Sequence, residues 1–168
     1  MTFHPTLGVQ HLELSRLLAS FRGRQPLGLS GACSFSAPLS DLLHRQGQGG
    51  APYGRWTMRT LEQVETVVQV LLDDVKAFGA PFLHSFDSIE DLIVRLEHAP
   101  RYQELRAHLA IACALTGRRA QAANVLGEYM EKVTCQRPPM LDQSRLFIES
   151  FVSHFRLAAS LQDLPSGA

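Results

Sequence analysis

From Thr60 to Leu161 apolar residues recur every three or four positions, and that period selects helices. The strongest of these is "TLEQVETVVQVLLDDVKAFG", where Thr60 is a candidate N-cap and Gln63 lies three residues on, the spacing of a capping box. Leu61, Val64, Val68, Leu71, Val75 and Phe78 fall on one stripe, of which Val68, Leu71, Val75 and Phe78 are expected to be buried with Phe82 or Phe86 packed against them. Gly79 suits a left-handed C′ position, and Pro81 is expected to stop the helix. A second helix is expected to start behind Asp87 or Ser88, with Glu90 three residues after Asp87, burying Ile89, Leu92, Ile93 and Leu96. A third opens at Pro100, carries Tyr102, Leu105, Leu109, Ala112 and Cys113, and ends at Gly117. A fourth runs from about Arg118 to Val133. The last, from about Leu141 to Leu161, stacks Phe147, Phe151, Phe155 and Ala158.

Residues 1–59 have a different texture, rich in Gly, Pro and Ser. Leu14, Leu17, Leu18 and Phe21 predict a short helix within Val9–Phe21. The rough alternation of Leu27, Leu29, Cys33, Phe35 and Ala37 predicts a strand that Pro38 ends. "GQGGAPYG" (Gly47–Gly54) is a loop, and "RWTM" (Arg55–Met58) is a second short strand. The expected fold is α+β and mostly helical, with five or six helices and a small N-terminal antiparallel sheet. The 168 residues fit a single domain, with a sheet-containing part over 1–59 and a helical part over 60–161.

Charge and cysteine usage narrow the function. Sixteen basic and sixteen acidic side chains cancel, which argues against general nucleic-acid binding. Cys33, Cys113 and Cys135 are odd in number and lack ligand spacing, and His4, His11, His44, His84, His98, His108 and His154 form no metal motif. No metal and no cofactor is expected. The N-terminus lacks a signal-peptide layout, and the longest apolar run, Leu109–Leu115, is too short to span a bilayer. The expectation is a cytoplasmic protein with no membrane partner, monomeric or homodimeric.

Each candidate for chemistry has a plainer reading beside it. "GLSGA" approaches a nucleophile elbow at Ser30, but a proline precedes it, a strand-like stretch follows and the last glycine is alanine. The glycine-rich loop lacks the G-K-[ST] of a phosphate loop. His84 and Asp87 flank a Gly-Ala-Pro-Phe corner in which no positioned nucleophile–base pair is visible, so the corner reads as a joint. Asp73 and Asp74, with Glu62 and Glu65 upstream, read as a solvated polar face or as a contact surface for a basic partner. Tyr, Trp and Arg cluster on one expected loop, and these residue types dominate binding energy at interfaces. Tyr53, Arg55 and Trp56 are therefore candidate partner-binding residues, with Asp73 and Asp74 supplying charge. The competing reading makes Trp56 a core residue of a short strand.

Two resemblances follow from these residues. "HLAIACALTGRRAQAANVLGEYM" (His108–Met130) resembles one tetratricopeptide unit, but no second copy follows at the ~34-residue period. The order "RWTM", capped helix, then "FGAPFLHSFDSIEDLIVRL" resembles a loose group of small bacterial cytosolic domains over Arg55–Glu97. That group includes immunity proteins of polymorphic and type VI-secreted toxins. The resemblance implies a non-enzymatic protein that binds and neutralises a cognate toxin domain, and it carries no catalytic residue across. The alternatives are an effector chaperone or adaptor using the helical hairpin, and a small hydrolase using Ser30.

Overall fold

The computed structural model describes residues 1–24, 33–45, 55–99, 103–133 and 140–157. They are α+β and mostly helical, with eight α-helices, two of them joined end to end by a π turn, and one two-stranded antiparallel sheet. The chain divides into two units, each assembled from two stretches: Met1–Val9 with Phe35–Asp87, and Gln10–Ser34 with Ser88–Ala168. The change of texture at residue 59 falls inside the first unit, because the long helix after it packs on the sheet. Among the described residues no helix is long and apolar enough to cross a membrane.

In the first unit, β1 (Thr6–Val9) pairs antiparallel with β2 (Phe35–Pro38), Thr6 opposite Pro38 and Val9 opposite Phe35. Pro38 is tolerated at the end of an edge strand, where no ladder donor is required. The expected strand at "RWTM" is corrected: Thr57 makes an isolated bridge with Thr2, and the true partner strand is Thr6–Val9. That bridge is made by Phe3 N–H donating to the Trp56 carbonyl at 3.1 Å and Met58 N–H donating to the Met1 carbonyl at 2.8 Å, while the Trp56 indole is buried. The chain turns from β2 directly into α2 (Leu39–Arg45), whose first N–H donates to the Pro5 carbonyl at 2.9 Å. Ala37, Leu39, Leu42, Leu43 and Trp56 form the buried centre, and Leu7, Val67, Leu71 and Phe78 are among the side chains that pack on it.

A 3₁₀ turn (Leu61–Gln63) leads into α3 (Val64–Asp74), a π turn (Val75–Gly79) and α4 (Ala80–Leu83), one unbroken helical run. The Gln63 side-chain oxygen Oε1 reaches back to accept from Thr60 N–H at 3.3 Å and Arg59 N–H at 2.8 Å, the contact expected of a capping box. The expected stop at Gly79 is corrected. Gly79 is right-handed, with φ −74°, and helix continues through Pro81. Proline in a helix removes a donor and crowds the carbonyl four residues back. Here the turn before it is widened, and Ala80 N–H bonds the Val75 carbonyl five residues back, so the ring is accommodated. Glycine at 79 serves close approach instead: a Cβ there would lie 2.6 Å from Leu7 Cδ1. Phe82 of α4 and Phe86 beyond it meet Phe35 at 6.3 and 5.7 Å between ring centroids, and each other at 5.2 Å.

The second unit holds α1 (Leu12–Phe21), α5 (Ile89–Glu97), α6 (Gln103–Leu115), α7 (Arg119–Val133) and α8 (Met140–Phe155). The His11 ring nitrogen Nδ1 caps α1 by accepting from Leu14 N–H at 3.3 Å. The cap of α5 is Ser88, not Asp87. Ser88 has the extended backbone a cap requires, its hydroxyl accepts from Asp91 N–H at 3.2 Å, and Asp91 accepts from Ser88 N–H at 3.0 Å. Leu92, Ile93 and Leu96 are buried as their spacing predicts. Helix α6 is central, since every residue from Arg106 to Cys113 is buried. It ends at Gly117, φ +77°, where Arg118 N–H reaches the Cys113 carbonyl at 2.8 Å and Gly117 N–H the Ala114 carbonyl at 3.2 Å. Phe21 of α1 packs against Phe147, Phe151 and Phe155 of α8, all at 6.1 Å between centroids.

Candidate functional site

Asp74 is 3% exposed, at the end of α3. One of its oxygens accepts from Arg55 Nη2 at 2.7 Å; the other accepts from Arg55 Nε at 2.6 Å and from the Trp56 indole N–H at 3.0 Å. A carboxylate removed from water is costly unless donors replace its hydration, and three charge-assisted or buried bonds do so here. The Asp74 carboxylate in turn holds the Arg55 guanidinium above its ordinary pKa, and burial opposes this only in part. The surface role expected of Asp74 and Trp56 is thus corrected. Both are inside the first unit, bonded to each other. Arg55, its side chain 45% exposed, is committed to Asp74. Asp73 is exposed and accepts from Gln69 Nε2 at 2.9 Å. Tyr53 and Ser30 lie outside the described residues.

The phase of α3 explains the discrepancy. Val67, Val70, Leu71, Asp74 and Phe78 face the core, a seam with an aspartate at one of its positions. Of the residues expected to be buried, Leu71, Val75 and Phe78 pack on the core, as does Phe82, but Val68 is corrected: it is exposed, as are Leu61 and Val64 on the same stripe. Leu61 is 81% exposed, Val64 39% and Val68 47%, and Leu72 joins them at 47%. These four recur at steps of three and four and form an apolar row along the outside of the helix. At about 100° per residue, the positions just before Val68 and Leu72 are the buried seam, Val67 and Leu71. The positions just after Val64, Val68 and Leu72 are Glu65, Gln69 and Asp73, all exposed. Glu62 is exposed near the start of the row, and the Thr60 hydroxyl bonds its carboxylate and holds its pKa below the ordinary value. The row therefore has a buried flank and an acidic flank. Spacing alone puts Leu61, Val64 and Val68 on one line with Leu71, Val75 and Phe78; it leaves out Leu72 and does not tell the exposed side from the packed one.

The chemistry-bearing groups of the second unit are absorbed into its packing. Arg22 donates to both oxygens of Glu104, at 2.7 and 3.1 Å, and lies 6.0 Å from the centre of the Phe147 ring. Burial disfavours the Glu104 charge, but the Arg22 guanidinium outweighs it and keeps the carboxyl below its ordinary pKa. His108, one turn along α6, is 2% exposed, and burial takes its pKa down to about 4 although Glu104 opposes the change. His108 Nδ1 and Arg106 Nε are buried with no hydrogen-bond partner among the described residues. Arg106 is otherwise held loosely, 3.4 Å from the Leu96 carbonyl and 3.7 Å from Glu128. Cys113 is a buried thiol whose pKa burial raises to about 11, and Cys33 is exposed. Among the described residues no three His, Cys, Asp or Glu side chains gather where they could hold a metal ion.

Compared with known proteins, the chain matches no family model, and no similar curated protein or solved structure was found.

Proposed function

We propose that this is a non-enzymatic binding protein, an immunity protein that captures and occludes a cognate bacterial toxin domain in the cytoplasm. The observation that carries the reading is the exposed apolar row Leu61–Val64–Val68–Leu72 on a helix whose other face is anchored in a core. Contiguous apolar surface rimmed by polar residues is typical of protein–protein contact sites. The same helix lies within Arg55–Glu97, the segment that resembles the immunity group. The charged and nucleophilic groups of greatest interest support this reading too, since Asp74 and Arg55 bond each other and the Cys113 thiol is buried.

The test is co-expression with the product of the adjacent gene, which the proposal expects to carry a toxic domain. An immunity protein rescues growth and co-purifies with that domain at a fixed ratio. An effector chaperone binds the export region of the toxin and leaves cells expressing only the toxic domain unprotected. Absence of both rescue and co-purification overturns the proposal.

A further inference from the structure

The partner's chemistry can be read from the two flanks of the apolar row. We infer that α3 docks an amphipathic helix of the partner protein, with apolar residues laid along Leu61, Val64, Val68 and Leu72 and Lys or Arg residues beside Glu65 and Asp73. This deepens the binding reading above and rests on it. A helix laid on a helix presents residues at steps of three and four, the spacing of this row. The free flank, Glu65–Gln69–Asp73 with Glu62 at one end, carries three carboxylates, whereas Lys76 is the lysine one turn beyond Leu72. A basic edge on the incoming helix complements it and speeds encounter at low salt.

The same charges disfavour a second copy of this chain as the occupant. In a two-fold antiparallel pairing along the row the acidic flanks of both copies fall on the same side, so Glu62, Glu65 and Asp73 of one copy run beside those of the other, and symmetry repeats that repulsion. A parallel pairing sets the acidic flank against the other copy's opposite flank, Val67 and Leu71, which is committed to the core. Within the chain itself, "LAASLQDLPSGA" from Leu157 onward is apolar enough but carries Asp163 and no Lys or Arg.

Two synthetic helix-forming peptides test the inference on the full chain by fluorescence anisotropy. Both have leucine at the a and d positions of each heptad; the remaining positions are mainly lysine in one and mainly glutamate in the other. The lysine peptide is expected to bind at least about tenfold more tightly than the glutamate peptide. Val68→Ser/Leu72→Ser is expected to weaken it by about tenfold or more. Glu65→Lys/Asp73→Lys is expected to reverse the preference between peptides. All four positions are exposed, so thermal midpoints near that of the parent confirm that the variants fold. Equal binding of the two peptides, binding of neither, or indifference to the apolar pair overturns the inference. So does concentration-dependent dimerisation in sedimentation that Val68→Ser/Leu72→Ser abolishes, since a second copy then occupies the face. The toxin assay separates this outcome from the functional one: rescue and capture that survive Val68→Ser/Leu72→Ser leave the immunity reading intact and move the interface elsewhere.

Discussion

Arg55 and Trp56, adjacent in sequence, together place three N–H donors on Asp74. Their energetic roles differ. Trp56 is buried for its own apolar area, and its indole N–H needs an acceptor once it is there. Arg55 neutralises a charge that water no longer reaches. Asp74→Ala is accordingly expected to destabilise the first unit by about 1–3 kcal/mol, the range for an orphaned buried donor. Arg55→Ala is expected to cost a similar amount, about 1–3 kcal/mol, because Asp74 is left under-compensated, although the exposure of Arg55 lets water make up part of the loss. Combining the two changes removes both the charge and its need for a partner, so the double variant is expected to lose clearly less than the sum. Urea denaturation of the four proteins measures this cycle; additive losses would mean that the pair is not coupled. Substitution of Arg55 is thus a poor probe of partner binding, since it perturbs the fold first.

At the scale of the element, α3 is a helix with two apolar sides, one inward and one outward. Leu71 and Val68 lie three positions apart, yet Leu71 packs on Trp56 and its neighbours while Val68 faces out. Leu71→Ala is expected to cost about 1–3 kcal/mol, below the full range for a buried leucine because Leu71 is partly covered. Val68→Ala is expected to stay within about 0.5 kcal/mol of the parent. Thermal midpoints of the two variants check the phase directly; a larger loss for Val68→Ala would place the core on the other side. The π turn that follows belongs to the same element. It lets the helix pass Pro81 without breaking, which carries Phe82 to the Phe35 and Phe86 rings.

For the whole molecule, the clearest consequence is how stability depends on pH. His108 is held neutral inside the second unit with a pKa of about 4, against an ordinary value of 6.5. Between those values the unfolded chain takes up a proton that the native unit refuses. Stability is therefore full above pH 6.5 and falls as pH drops toward 4, by up to about 3 kcal/mol from this residue. Glu104 works in a lower window: its pKa is lowered, so its contribution is present above the ordinary carboxylate value of 4.5 and is lost below it. His108→Gln is expected to flatten the curve of thermal midpoint against pH from 6.5 to 4, leaving the loss that Glu104 contributes at lower pH. An unchanged slope in that variant would show that His108 is not the titrating group.

The mostly helical α+β class, most helix positions and the cap at Thr60 were legible in the sequence, because they depend on contacts within a few residues; helix α2 and the helical run through Pro81 were not. Thr60 with Gln63, the buried face of Leu92, Ile93 and Leu96, and the glycine stop at Gly117 all follow from local spacing. The strand pairing was not legible, since Thr6–Val9 meets Phe35–Pro38 across α1, and nothing within either strand names its partner. The right-handed Gly79 was also hidden, because its small size answers to Leu7, far away in sequence. The candidate surface shows the same division. Spacing alone made a line of Leu61, Val64, Val68 and Leu71, but an apolar line says only that something covers it. Tertiary packing decided which part the protein covers itself, by turning Val67, Leu71 and Asp74 inward to meet Trp56 and leaving Leu61, Val64, Val68 and Leu72 in water. The physical reason is that α3 has more apolar circumference than one core can bury, and where the seam falls is set by the neighbour that arrives, Trp56 with its indole N–H requiring Asp74.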